Sequence, residues 1–118
     1  MKDLQSDQMA YDHDLANRIR EQLADEDAVT EKEMFGGIAF LLRGNMAVGV
    51  SRDDLMVRVG KEHGDEALEE PHTRPFDMTG RPMKAWVLVE RPGFETDAQL
   101  ADWVARGVAY ARSLPPKG

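Results

Sequence analysis

Apolar residues near the start of the chain recur at helical spacing. Leu15, Ile19 and Leu23 lie four residues apart, which predicts an amphipathic helix of about 12–14 residues that begins near Tyr11. The acidic run Asp25–Asp27 ends this pattern. We therefore expect a helix with one face buried against the rest of the domain.

The middle of the chain changes to short apolar runs, which predict strands. These runs are residues 29–35, 38–42, 46–50, 55–59 and 85–89. Short turns join the first four runs, and turns of this length cannot carry the crossover that parallel strands need. The sequence therefore predicts an antiparallel meander followed by one later strand. Gly36 and Gly37 predict a sharp bend, where at least one of them has a backbone geometry that other residues disfavour.

Residues 61–83 lack the periodicity of a strand. The segment Lys61–Glu69 predicts a short polar helix that is anchored by Ala67 and Leu68. Residues 71–83 contain three prolines, at positions 71, 75 and 82. We expect an irregular connection there, because proline removes the backbone donor that a central strand needs.

The last part of the chain predicts a second long helix. Thr96 and Gln99 have the spacing of a capping box. Six apolar residues share one face of this helix: Leu100, Trp103, Val104, Gly107, Val108 and Ala111. We expect this face to lie on the sheet, with Asp102 and Arg106 facing water.

The length and composition suit one globular domain. The chain has 118 residues, of which 42% are hydrophobic and 31% are charged, as in ordinary soluble domains. We interpret residues 1–8 as a disordered tail and residues 9–116 as a single domain. The order of elements predicts an α+β fold, a two-layer sandwich in which helices flank an antiparallel sheet.

The charge and the lack of cysteine limit the classes of function. A net charge of −7 argues against direct nucleic-acid binding, which normally needs a basic surface. No apolar run approaches the roughly 20 residues of a membrane helix, and acids occupy the start of the chain, where a signal peptide would be basic and apolar. We therefore expect no membrane partner. The absence of cysteine fits a reducing compartment, so we expect a cytoplasmic protein.

No residue pattern assembles a catalytic or metal site. His13, His63 and His72 lie in separate predicted elements without the spacing of metal ligands. Neither Ser51 nor Ser113 lies in a nucleophile-elbow motif. We predict no catalytic residues, no metal and no cofactor, and we favour a non-enzymatic role over an enzyme.

The sharpest polar candidate is an anion-binding patch before the last strand. The Arg81 guanidinium and the Lys84 ammonium could clamp an anion there. Arg58, on a nearby strand, could join them, with Trp86 and Phe35 as the walls of a pocket. The candidate ligand-binding residues are therefore Arg58, Arg81, Lys84 and Trp86. The alternative, which we favour, is a rigid loop whose arginine pairs with the abundant acids.

Several motifs together carry a family resemblance. They are Met34–Leu42, Gly44–Ala47, Leu55–Gly60, Thr79–Trp86 and Tyr110–Pro115. In this order, from about residue 9 to residue 116, the sequence resembles the N-terminal domain of the TfoX/Sxy competence regulators. The resemblance implies a fold like that of secretion chaperones and contributes no catalytic residues. The helical C-terminal domain of those regulators has no counterpart here, which predicts a stand-alone N-terminal domain.

The resemblance also implies a role in transcriptional regulation, because full-length relatives promote competence-gene expression together with a cyclic-AMP receptor protein. Our main hypothesis is a non-enzymatic regulatory or adaptor domain that acts through protein–protein interaction. The alternative is a small-molecule or nucleotide-binding protein that uses the patch of Arg58, Arg81 and Lys84.

Assembly is a further expectation. The predicted strands at residues 38–42 and 85–89 carry neither an internal charge nor a proline. If either strand lies at the edge of the sheet, a homodimer is the simplest way to cover it. We therefore expect a protein partner and a homodimer.

Overall fold

The computed structural model describes residues 11–34, 36–77 and 82–116. The helices are α1 (His13–Gln22), α2 (Gly64–Leu68) and α3 (Asp97–Arg112), and a 3-10 helix spans Arg91–Phe94. The strands are β1 (Val29–Met34), β2 (Gly37–Leu42), β3 (Asn45–Ser51), β4 (Asp54–Arg58), β5 (Thr73–Asp77) and β6 (Pro82–Val89). The predicted tail at residues 1–8 lies outside the described residues.

The strands form one antiparallel sheet in the order β1-β2-β3-β4-β6-β5. The first four strands follow each other in the sheet as they do in the chain, so the predicted meander is confirmed. The predicted α+β class is confirmed as well. No helix among the described residues is both long and apolar enough to cross a membrane.

The helices pack on one face of the sheet. Leu15 and Ile19 of α1 and Leu100 and Val104 of α3 share a core with the inward residues of the strands, among them Phe40. All six residues of the predicted α3 face are buried, and the capping box of Thr96 and Gln99 is present. The first helix is shorter than predicted, since it ends at Gln22 and Leu23 is its C-cap.

A smaller apolar cluster lies on the alternate positions of the sheet. Met56, Phe76, Trp86 and Leu88 form it. Successive side chains of a strand point to opposite faces, so Leu55 and Val57 belong to the main core while Met56 between them does not. This alternation places Arg58 on the same side as Met56.

The prediction of an irregular connection over residues 71–83 is wrong for β5 and for the start of β6. Thr73–Asp77 is a strand that pairs only with β6 and therefore lies at the edge of the sheet. An edge strand tolerates proline, because one side of its backbone needs no partner. The register shifts between Pro75 and Asp77, which accommodates the ring. Residues 78–81 lie outside the described residues.

The two predicted strands without internal charge or proline, residues 38–42 and 85–89, fall in β2 and β6, which lie in the interior of the sheet and not at its edges. β2 lies between β1 and β3, and β6 lies between β4 and β5. The actual edges carry protective residues: Glu31, Lys32 and Glu33 are exposed on β1, and Pro75 lies in β5. Neither strand therefore needs a second copy of the chain to cover it. The homodimer stays a prediction that sedimentation equilibrium can test.

The predicted bend at the double glycine is confirmed. Gly36 has φ +73°, a conformation that residues with a side chain rarely adopt. A Cβ on Gly37 would overlap the carbonyl oxygen of Val50 on the neighbouring strand. One glycine is therefore required by its backbone angle and the other by the closeness of β3.

Candidate binding groove

A groove of about 900 Å³ lies between α2 and the C-terminal half of α3, where β4 ends. Its floor is made by Val59, Gly60 and Ala85. The carbonyl oxygen of Ala85 accepts hydrogen bonds from the backbone N–H of Val59 at 2.8 Å and of Gly60 at 3.0 Å. These bonds continue the pairing of β4 with β6 past the end of the strand. The floor is therefore rigid and made of small or apolar residues.

One wall of the groove is a stripe along α3. Arg106, Ala109, Tyr110 and Ser113 line it, and their spacing of three, four and seven residues places them on one face of a helix. This stripe is next to the buried stripe that contains Gly107. The same helix therefore anchors the domain with one face and forms the groove with the adjacent one.

The opposite wall is acidic. Glu62, Glu66 and Glu70 recur every four residues, and all three line the groove. Glu66 Oε1 lies 3.1 Å from His63 Nδ1 on the exposed side of α2. Ala67 is 3% exposed and fixes α2 to the core. Of these three carboxylates, Glu70 is paired with Arg106 and Glu66 lies beside His63, and Lys61 lines the groove as well.

Arg58 lines the groove, and its guanidinium lies near two aromatic rings. Its Cζ is 5.9 Å from the centroid of the Trp86 ring and 5.3 Å from that of Tyr110. Arg58 and Trp86 are directly opposite each other on β4 and β6, whereas Tyr110 comes from α3. Two rings at these distances attract the cation.

The donors of Arg58 are poorly satisfied. Its only hydrogen bond among the described residues runs from Nη1 to the carbonyl oxygen of Met46, and it is long at 3.4 Å. Nε is buried without any hydrogen-bond partner. The ion pairs within the described part of the chain do not include Arg58. Nη2, which is not among the buried atoms and makes no hydrogen bond among the described residues, is therefore the donor available for an acceptor that enters the groove.

Arg106 ties the two walls together. It forms a two-pronged ion pair with Glu70, in which Nη2 lies 3.1 Å from Oε1, and a second pair with Asp102 at 2.8 Å. The Glu70 hydrogen bonds raise the pKa of Arg106. Its Cζ also lies 4.2 Å above the ring of Trp103. Asp102 is exposed as predicted, but the prediction that Arg106 faces water is wrong, because Glu70 and Trp103 hold its head group.

The four residues predicted for an anion patch have different positions. Arg58 and Trp86 are brought together. Lys84 is exposed on β6 and is not among the residues that line the groove. Arg81 and Phe35 lie outside the described residues.

Sequence reasoning missed Tyr110, Glu66 and Arg106 as groove residues. The available signal was the second stripe on α3, which mixes charged, aromatic and small residues beside the apolar one. Within the described ranges, no three residues of the types His, Cys, Asp or Glu are grouped so that they could hold a metal ion. The residues that line the groove offer hydrogen bonding, charge and apolar contact.

The sequence model of the TfoX N-terminal domain matches residues 21–111. The chain belongs to the TfoX N-terminal domain family. Searches of curated proteins and of solved structures found no match. In this TfoX N-terminal domain the matched range runs from the end of α1 through nearly all of α3, and it includes every groove residue named above except Ser113.

Proposed function

We propose that this TfoX N-terminal domain is a non-enzymatic regulatory or adaptor domain of the TfoX/Sxy type. It acts by binding a segment of another protein, and its role is in transcriptional regulation. The regulatory part of this proposal rests on the TfoX/Sxy resemblance. The binding part rests on the shape of the groove.

The observation that carries the proposal is an open groove with a floor of small and apolar residues and with walls on α2 and α3. Grooves of this kind bind peptide segments, since the floor buries apolar side chains while polar residues on the walls fix their register. The groove has a volume of about 900 Å³, which leaves room for side chains of a partner. A half-buried arginine near two aromatic rings supplies the residue types that dominate the binding energy of interfaces.

The experiment uses a variant that fills the groove without disturbing the fold. Ala109 is exposed and lines the groove on α3, so Ala109→Arg should project a long side chain into it. Ala105 is also exposed on α3 but does not line the groove, which makes Ala105→Arg the matched control. Each tagged chain is expressed in the source organism, crosslinked and purified, and the recovered proteins are quantified by mass spectrometry.

We expect a stoichiometric partner with the wild type and with Ala105→Arg, and its loss with Ala109→Arg. The transcript profile of a strain that carries Ala109→Arg should match that of a deletion strain. Equal recovery of the partner by both variants would reject the groove as the binding site. A deletion strain with unchanged transcripts would reject the role in transcription.

The second candidate is a site for a small anionic molecule. The unsatisfied Nε of Arg58 favours it, and the volume of the groove falls within the range of small-molecule sites. A thermal-shift screen of carboxylates and nucleotides tests it, because a ligand at about 100 times its dissociation constant stabilises a protein by about 2.7 kcal/mol. A ligand that raises the melting temperature of the wild type but not of Arg58→Gln would support this candidate. If no compound raises it, the candidate fails.

A further inference from the structure

The guanidinium of Arg58 lines the groove beside two aromatic rings. Its Cζ is 5.9 Å from the centroid of the Trp86 ring and 5.3 Å from that of Tyr110, and Nη2 makes no hydrogen bond among the described residues. A guanidinium suits a carboxylate, which accepts two parallel hydrogen bonds from it.

Beyond Arg58 the groove carries carboxylates as well as cations. Glu62 and Glu66 line it without an arginine or lysine partner among the described residues, although Glu66 lies beside His63 and Lys61 also lines the groove. A polyphosphate that reached Arg58 would bring several negative charges close to these carboxylates, and like charges at short range repel. A cationic side chain next to a single carboxylate would meet complementary charges on both sides.

We infer that the groove binds a peptide segment that places one carboxylate on Arg58 and a lysine or arginine side chain beside Glu66. This inference rests on the proposed function, because it names the chemistry of the partner segment that the groove accepts. The carboxylate comes from an Asp or Glu side chain or from the C-terminus of the partner. The apolar floor takes the residues between the two charges.

The test uses synthetic peptides of random sequence, about twelve residues long, which is enough to span a groove of this kind. One pool ends in a free carboxylate and a second pool ends in an amide. Each pool is passed over the immobilised domain, and the retained peptides are sequenced by mass spectrometry. Their dissociation constants are then measured by fluorescence anisotropy for the wild type, Arg58→Gln, Glu66→Gln and Arg52→Gln. Arg52 lies in the exposed turn between β3 and β4 and is the matched control.

We expect retained peptides that combine an acidic group with a basic residue. Arg58→Gln should raise their dissociation constant by about tenfold or more, since a hydrogen bond to a charged group is lost. Glu66→Gln should raise it by about threefold, as a more exposed pair contributes less. Arg52→Gln should leave it unchanged. Recovery from both pools assigns the carboxylate to a side chain, and recovery from the acid pool alone assigns it to the chain terminus.

Circular dichroism melting establishes that each variant is folded. If Arg58→Gln does not fold, the comparison rests on Glu66→Gln, whose side chain is 77% exposed. Retained peptides that lose binding with Ala109→Arg but not with Arg58→Gln or Glu66→Gln would overturn the inference and leave the proposed groove function standing. Peptides that bind all variants equally would count against both. A selection in which the wild type retains nothing would also overturn the inference.

Discussion

Gly60 and Tyr110 lie so close that a Cβ on Gly60 would be 2.6 Å from Cε1 of the tyrosine ring. Gly60 also has φ +88°. The absence of a side chain at this position therefore lets the ring of Tyr110 lie against the floor of the groove, with its centroid 5.3 Å from Cζ of Arg58. This part of the groove depends on the contact between the loop after β4 and α3.

Replacing Gly60 by alanine should destabilise the domain by more than the free-energy cost of its left-handed backbone angle alone. A left-handed backbone angle costs a residue with a side chain about 1–2 kcal/mol. Gly36→Ala isolates that cost, because Gly36 has φ +73° with nothing within 4 Å of its Cβ position. We expect Gly60→Ala to lose more free energy of unfolding in urea than Gly36→Ala, since the tyrosine ring must also move.

The Tyr110→Ala background separates the two contributions of Gly60→Ala. Without the ring, Gly60→Ala should cost about as much as Gly36→Ala, about 1–2 kcal/mol. If Gly60→Ala lowers the free energy of unfolding equally with and without the tyrosine ring, the contact between Gly60 and Tyr110 does not contribute to stability.

Gly37→Ala should be more damaging than Gly36→Ala, although the two residues are neighbours. The added Cβ would overlap the carbonyl oxygen of Val50, and this oxygen belongs to the backbone of β3, which cannot turn aside as a side chain can. Forcing β2 and β3 apart should cost about 3 kcal/mol, at the upper end for overpacked sites. Chemical denaturation measures the difference, and equal midpoints for the two variants would contradict it.

The sequence predicts the central meander well because its signals are local. The apolar runs of β2 and β3 are short and unbroken by charge, as in interior strands, and Gly44 lies in the short turn between them. The face of α3 is equally clear, since six residues at helical spacing all become buried. β5 was missed because Pro75, together with the prolines at positions 71 and 82 on either side of the strand, gives the segment the local pattern of a loop. Only its place at the edge of the sheet, which depends on the whole fold, permits Pro75 in a strand.

The groove is less predictable because its parts come from distant segments. Arg58 and Trp86 were both named as candidates, but their register as a cross-strand pair depends on how β6 docks beside β4. Tyr110 joins them only because α3 packs over the end of the sheet. Arg106 carries charge at a position that a helical pattern assigns to solvent, and its partial burial follows from its pairing with Glu70, which precedes it by 36 residues. Contacts between residues this far apart in the chain leave no periodic pattern in the sequence.

Trp103→Ala should cost about 3–5 kcal/mol, as large aromatic residues in cores do. Trp103 is 5% exposed in the main core, and its ring also supports the guanidinium of Arg106. Thermal and urea unfolding measure the loss. Ala105→Arg, on the exposed face of the same helix, is the control and should stay within about 0.5 kcal/mol of the wild type. Strong quenching of Trp103 fluorescence by iodide in a Trp86→Phe background would contradict its burial.

The ion pair of Arg20 and Glu31 should make stability fall in acid. Arg20 Nε and Nη2 donate to the two carboxylate oxygens at 2.7 and 2.8 Å, and these hydrogen bonds lower the pKa of Glu31. A lowered pKa in the folded state gives stability that is present above the ordinary value of about 4.3 and is lost as the pH falls through the folded value. The destabilisation caused by Glu31→Gln should therefore shrink as the pH falls, from a size below about 1 kcal/mol at this exposed pair.

Asp54 should show the opposite sign and serves as the comparison for Glu31. Burial raises the pKa of Asp54, against the opposing effect of Arg74. The folded state therefore holds the proton more tightly than the unfolded state, and the cost of keeping this carboxylate charged disappears as the pH falls. The stability of Asp54→Asn relative to the wild type should decrease with falling pH, while that of Glu31→Gln should increase. Parallel slopes for the two variants would refute both assignments.

The pair of Arg106 and Glu70 should couple the two walls of the groove. Both side chains are about one-third exposed, at 35% and 37%, so solvent screens the pair only in part. A double-mutant cycle of Arg106→Gln and Glu70→Gln, followed by urea unfolding, should give a coupling free energy of about 0.5–1.5 kcal/mol. The same cycle with Asp102→Asn in place of Glu70→Gln should give a smaller coupling free energy, since Asp102 is 61% exposed.

Molar salt should reduce both coupling free energies, because it screens charges beyond about 3 Å. A Glu70 coupling no larger than that of Asp102 would contradict this prediction. The apolar contacts of Ala67 and Trp103 would then hold the two walls, and Arg106 would not set the width of the groove.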